Sequence, residues 1–251
     1  MSSVLVIGST GATGVHVIDE LLKCGLFKKV TSVARRKLDY QGPNKELLVQ
    51  HIVDFEKIEE YKDAFKGHSH MISCFGTTRK TAGSAEIQHR IDHDYVYNAA
   101  KLFKEQNPDI KLHYIHMSSG QADANSSFQF IKTKGQLEDD LKSLKFSRLS
   151  IFRPAPLLDR GHDKRFFESL YGFVAKGLNY ITDNRAGIPV TTLAKALVRV
   201  IQVPPRENLS ESDDAVVEYY FTKDAYILST RTDIPGFEES SQEMKESEKS
   251  N

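Results

Sequence analysis

The chain has 251 residues, which suits one α/β domain or a domain with a small appendage, and a hydrophobic fraction of 39% is enough for a real core. Its 34 basic and 34 acidic residues cancel, so no long-range attraction to nucleic acid or anionic lipid is expected, and Cys24 and Cys74 are too few for a disulfide framework. No apolar run approaches the ~18 to 20 residues that a membrane span needs, and Met1-Ser2-Ser3 leads straight into an apolar strand, so neither a span nor a cleaved signal is expected.

Val4-Leu5-Val6-Ile7 is a continuous aliphatic run of the kind that buried parallel strands show. After a glycine loop, Val15, Val17, Ile18, Leu21 and Leu22 take helical spacing and stop near Gly25. Further strands are predicted at 30–34, 47–53, 71–75, 112–117 and 148–152. Between them lie a short charged helix at 56–65, a long helix at 85–104 and another at 131–144. Strands and helices alternating at this spacing imply right-handed βαβ units and a parallel sheet. Beyond Arg153 the pattern weakens: 166–175 and 193–201 look helical, and 218–228 reads as a closing segment that docks on the body. Residues 1–229 are read as one α/β domain with a parallel sheet, its part from 154 set apart by this weaker pattern. Residues 230–251 are read as a disordered polar tail.

The glycine loop Gly8-Ser9-Thr10-Gly11-Ala12-Thr13-Gly14 lies directly between a buried strand and a helix. That context suits dinucleotide binding. Gly8 allows a tight turn, Gly11 lets the backbone approach a pyrophosphate, and Gly14 lets helix pack on strand, while first-turn N–H groups and the helix dipole face the anion. The second strand ends Ala34-Arg35-Arg36-Lys37 with no acidic residue for a ribose 2′-hydroxyl. The guanidinium groups of Arg35 and Arg36 suit a 2′-phosphate, so NADP(H) is the expected cofactor.

Several blocks resemble the atypical short-chain dehydrogenase/reductases, in the branch of the Tat-interacting proteins and the fungal "found in mitochondrial proteome" proteins. They are the glycine loop with Val6-Ile7, then Cys74-Phe75-Gly76-Thr77-Thr78-Arg79, Ile91-Asp92-His93-Asp94-Tyr95-Val96, Met117-Ser118-Ser119, Lys134-Gly135-Gln136-Leu137-Glu138 and Phe152-Arg153-Pro154. The resemblance covers about residues 4 to 229. It implies a Rossmann-type, doubly wound parallel sheet in order 3-2-1-4-5-6-7 with a small C-terminal substrate-side lobe. It also implies cofactor contacts from Asp54 and Phe55 near the adenine, Phe75, Gly76 and Thr77 over the ribose and phosphates, and Pro154 near the nicotinamide. All follow the C-terminal ends of strands, where open α/β sheets bind ligands. From the residues alone, Asp54 equally suits a helix N-cap before Glu56.

Catalytic members of the superfamily use Ser, Tyr and Lys, with Tyr and Lys spaced Tyr-x-x-x-Lys. Tyrosine is the acid/base, the lysine charge lowers its pKa, and serine orients a carbonyl. Lys134 matches the lysine, and Ser118 or Ser119 matches the serine, with Ser119 preferred. Phe130 stands at the tyrosine position and has no proton to give. Three readings stay open: a carbonyl reductase taking its acid from Tyr171, His162 or water; an NADP(H)-binding sensor or scaffold without standard turnover; and a protein with weak residual activity and another main role. The resemblance also implies the outer mitochondrial membrane, cytosolic face, with attachment peripheral or through a membrane-protein partner. A cytoplasmic location is the alternative.

Other clusters carry less. His89 and His93 are four apart, a spacing that suits a metal, but Asp92 and Asp94 are expected to point off that face, so no metal site is expected. His68 and His70 are expected to be solvated. His113 and His116 should fall on opposite faces of a strand, and Cys74 should be buried packing.

Overall fold

The computed structural model describes residues 2–159, 187–206, 215–231 and 233. The helix expected at 166–175, the polar tail apart from residues 230, 231 and 233, Tyr171 and His162 lie outside the described residues.

Strand β1 (Ser2–Ile7) is at the heart of the fold, with Val4, Leu5, Val6 and Ile7 fully buried. It leads through the glycine loop into helix α1 (Gly14–Lys23) and strand β2 (Phe27–Ala34). Strand β3 (Leu48–Ile52) and the 3₁₀ run Phe55–Phe65 follow, then strand β4 (His70–Ser73). Helices α2 (Arg79–Ala82) and α3 (Ala85–His89), a π-helical turn (Arg90–Asp94) and helix α4 (Tyr95–Glu105) come next. Strand β5 (His113–Met117), helix α5 (Gln129–Ser143) and strand β6 (Arg148–Arg153) continue the alternation. Strands β7 (Leu157–Leu158) and β8 (Ile188–Pro189), helix α6 (Val190–Arg199), strand β9 (Val216–Phe221) and helix α7 (Thr222–Thr230) complete the described chain.

Seven strands form one parallel sheet in order β3-β2-β1-β4-β5-β6-β9. This is the expected order, with β9 as its seventh strand because β7 and β8 pair apart as a small two-stranded sheet. Alternation along β1 splits the core in two. Val4 and Val6 face a layer with Val17, Ile18 and Leu21 of α1, Leu193 and Leu197 of α6 and Leu228 of α7. Leu5 and Ile7 face the other layer, with Val96 and Phe103 of α4, Leu137 and Leu141 of α5, and Phe65. Both faces of the sheet are therefore covered, as a parallel sheet requires.

Several elements depart from expectation. The charged segment 56–65 is a 3₁₀ run broken at Lys57 and Tyr61, and Asp54 caps it by accepting the Glu56 N–H at 3.0 Å. Its buried Phe55 and Ile58 are three apart, the repeat of that tighter helix. The long helix at 85–104 is interrupted by the π turn. The closing segment at 218–228 is a full edge strand plus a helix. Its Glu218 is buried because Arg148 Nε on the neighbouring strand donates to it at 2.8 Å and Ser150 adds a second hydrogen bond.

His68 and His70 are not solvated. His68 is 1% exposed, with Nδ1 at 2.7 Å from Ser3 Oγ and Nε2 at 3.2 Å from the Ala64 carbonyl, and burial, then Lys29, pushes its pKa down to about 4. His70 sits in β4 against Ser69 Oγ, and burial, then the Arg148 charge, pushes it to about 4 as well. His113 pairs with Ser150, whereas His116, three residues on, is fully buried with neither ring nitrogen partnered among the described residues. Cys74 is buried, as expected, and burial raises its thiol to about 12.

Candidate functional site

The strand order reverses between β1 and β4, so their following loops diverge and leave a crevice at their C-terminal ends. A cleft of about 910 Å³ opens there. Gly11, Ala12 and Thr13 form one wall, and Phe75, Gly76, Thr77 and Asp92 form the next. Ser118 and Ser119 after β5, Phe130 and Lys134 on α5, and Arg153 and Pro154 after β6 close the substrate end.

The glycines are dictated by geometry. Gly8 has φ +74°, and a Cβ there would sit 2.6 Å from the Cys74 backbone carbon. A Cβ on Gly14 would lie 2.1 Å from the Gly8 carbonyl oxygen. Gly11 is exposed on the cleft, and a Cβ there would meet only Gly8 O, at 3.2 Å. Ser9 is wholly buried, its hydroxyl 2.6 Å from that of Ser32, which ties the loop to β2. Thr13 Oγ1 is buried in the cleft wall with no hydrogen-bond partner among the described residues. Arg35 and Arg36 follow β2 at the same end of the sheet, exposed and outside the cleft lining, and their guanidinium groups make no hydrogen bond or ion pair with the described residues.

Phe55 is 2% exposed. Its ring packs on Phe75 at 4.7 Å and on Tyr95 at 5.6 Å, so its side chain supports the cleft wall from below. Neither it nor Asp54 lines the cleft.

At the substrate end Lys134 is 5% exposed. Burial pushes its pKa below the usual lysine range, against the opposing pull of Asp92 and Glu138. Gly135 beside it is forced by a crossing loop: a Cβ there would lie 2.1 Å from the Ala124 nitrogen. Both serines line the cleft, and Ser118 also donates its hydroxyl to Glu138 Oε1. Glu138 is also held by Arg153, with Nη2 to Oε2 at 2.5 Å and Nε to both oxygens at 3.1 Å. That bond leaves Arg153 above its ordinary pKa.

Phe130, four positions before Lys134, lines the cleft and is 42% exposed. Sequence reasoning missed Asp92 as a cleft residue. It is fully buried, Oδ1 accepts the Thr77 N–H at 2.6 Å, and Oδ2 has no hydrogen-bond partner among the described residues. Burial raises its carboxyl pKa, opposed first by Lys134. A Cβ on Gly76 would lie 3.6 Å from both Asp92 Oδ1 and Lys134 Nζ, so that bare glycine faces the buried pair. The sequence signals there were the resemblance block Ile91–Val96, with no role attached to Asp92, and the periodicity of helix 85–104, which the π turn conceals.

The fold is that of a Rossmann-type protein. A solved short-chain dehydrogenase from Burkholderia cenocepacia J2315, in complex with NADP, superposes with a TM-score of 0.64 at 16% identity, covering 97% of this chain and 95% of that one. A putative epimerase from the same organism superposes with a TM-score of 0.62 at 14% identity, over 88% of this chain and 74% of its own. No family model matches the sequence. Rat Protein HTATIP2 is 38% identical over 210 residues, 80% of this chain and 82% of that protein. Protein FMP52-1, mitochondrial, of Scheffersomyces stipitis is 34% identical over 225 residues, 87% and 94% of the respective chains. The chain belongs to the HTATIP2/FMP52 family.

Proposed function

We propose that the chain binds NADP(H) in the cleft and carries there a carbonyl-reductase-type site that lacks its proton donor at Phe130. The cofactor fits the residues present. Gly8 and Gly14 keep the loop compact, Gly11 leaves the backbone open to a pyrophosphate, and the buried Thr13 hydroxyl, with no partner among the described residues, could bond a ligand in the cleft. Arg35 and Arg36 would take the 2′-phosphate. When bound, NADPH supplies a hydride. Ser119 would hold a carbonyl oxygen, and Lys134 would hydrogen-bond the cofactor ribose and hold positive charge beside it. The single observation that carries this reading is Phe130, in the cleft wall one helical turn before a buried Lys134.

Restoring the hydroxyl tests it. Phe130→Tyr is expected to raise NADPH oxidation with a panel of carbonyl compounds by ~10²- to 10⁴-fold. No rise, with NADPH still bound, contradicts the reductase-type reading. The same Phe130 supports a second reading, a sensor or scaffold that binds NADP(H) without turnover, and that result would favour it.

We place the protein at the cytosolic face of the outer mitochondrial membrane, held peripherally or by a membrane-protein partner. Support comes from relatives whose names carry "mitochondrial". No helix among the described residues is long and apolar enough to cross a membrane. Carbonate extraction of purified mitochondria should release the protein.

A further inference from the structure

We propose that the π turn builds a binding site for a divalent transition metal, zinc by its donor set, from His89, His93 and Asp94. In a regular helix Asp94 would point away from the face shared by His89 and His93. A π turn makes residues five apart neighbours, and the turn over Arg90–Asp94 brings Asp94 round to that face. Asp94 Oδ1 lies 2.9 Å from His93 Nδ1 and 3.8 Å from His89 Nε2, and the three donor atoms all fall within 4.8 Å of one another. Ligand atoms around a tetrahedral zinc are about 3.3–3.6 Å apart, given metal–ligand bonds of ~2.0–2.2 Å. Small side-chain rotations would close the set.

The outer nitrogens are already engaged. His93 Nε2 lies 2.9 Å from Asp140 Oδ2, and His89 Nδ1 lies 3.1 Å from Thr133 Oγ1, both on α5. The carboxylate can only accept, so it assigns the proton to His93 Nε2. With Thr133 Oγ1 accepting from His89 Nδ1–H, His89 Nε2 keeps its lone pair, whereas Asp94 Oδ1 can only accept from His93 Nδ1, so zinc would bind by taking the place of that shared proton. A ligating histidine tethered at its other nitrogen is the arrangement that orients imidazoles on metals. Two imidazoles and one carboxylate with a fourth position open suit zinc, whereas magnesium and calcium prefer oxygen donors alone. The site lies on the outer side of the turn whose Asp92 faces the cleft, and it is independent of cofactor binding there. The competing arrangement is a doubly protonated His93 clamped between Asp94 and Asp140, with no affinity for metal.

Calorimetric titration of the chelator-treated, tag-free full chain with zinc decides between them, run in two buffers of different ionisation enthalpy. The expected result is one ion per chain with proton release, no uptake of magnesium, and a visible spectrum of four-coordinate intensity when cobalt replaces zinc. Asp140→Asn keeps all three ligands and should weaken zinc 10- to 100-fold. His93→Ala should abolish binding, with circular dichroism confirming the fold. His89→Gln serves the same purpose if His93→Ala fails to fold. Absence of zinc uptake, or equal affinity in the Asp140 and histidine variants, overturns the proposal.

Discussion

Gly14→Ala and Gly11→Ala separate what the glycine loop does for the fold from what it does for a ligand. A methyl at Gly14 would stand 2.1 Å from Gly8 O and 2.8 Å from both Gly8 C and Ser9 Cα, all backbone atoms. They cannot rotate aside, so the loop must move. Overpacking of this kind costs about 1–3 kcal/mol, and the better helix propensity of alanine recovers little at the first helical position. For a domain of this size that is a fall in melting temperature of roughly 2–12 °C. The loop displacement should also weaken NADPH binding. At Gly11 the methyl would meet a single atom at 3.2 Å and otherwise point into the cleft. Its melting temperature should stay within about 2 °C of the parent, since surface changes fall within ±0.5 kcal/mol. NADPH affinity should nevertheless drop at least tenfold, because the methyl takes space that a pyrophosphate would need. The assay is thermal unfolding by circular dichroism alongside calorimetric NADPH titration of both variants. If Gly11→Ala binds NADPH like the parent, the loop does not cradle the phosphates. An undiminished melting temperature for Gly14→Ala would refute the steric argument.

Two further outcomes are expected. Replacing Arg35 and Arg36 together with alanine should weaken NADPH at least tenfold and leave NADH affinity nearly unchanged, which paired titrations would show; equal losses for both would remove the 2′-phosphate role. Stability should fall in mild acid: below about pH 6.5 the unfolded chain protonates His68 and His70, while the folded chain keeps them neutral down to about 4. The unfolded state then binds more protons, at about 1.4 kcal/mol per histidine per pH unit, or roughly 4 kcal/mol for the pair between pH 6.5 and 5. His113 and His116, held well below their ordinary pKa by burial, act in the same direction. Urea midpoints that coincide at pH 7.5 and pH 5 would contradict this.

The sheet was legible because its information is local. Val4-Leu5-Val6-Ile7 and the glycines after it state strand, turn and helix within a dozen residues, and β1 lies where they put it. Lys134 came from the Tyr-x-x-x-Lys pattern and Ser118 or Ser119 from the family resemblance, and all three line the cleft, with Ser118 also bonded to Glu138. What escaped depends on distant partners or on a single extra residue. Glu218 breaks an apolar run and obscured β9, and its burial is tolerable because Arg148, 70 positions earlier, pairs with it alongside hydrogen bonds from Ser150 and the Arg206 N–H. His68 looks solvated until Ser3, 65 positions away, meets its ring. The π turn leaves composition and capping signals unchanged, yet its one-residue offset moves Asp94 onto the histidine face, and Asp92 of the same turn holds the Thr77 N–H on the cleft wall. Phe130 was visible from the start, and it lines the cleft, so the proposed reductase-type reading turns on it.

Titration of the purified parent chain with NADPH, followed in the same sample by turnover with the carbonyl panel, tests the central claim most directly. The expected result is saturable binding of one NADPH per chain, tighter than NADH, with oxidation at the background rate. Absence of NADPH binding would contradict the cofactor site, and rapid oxidation by the parent chain would contradict the role given to Phe130.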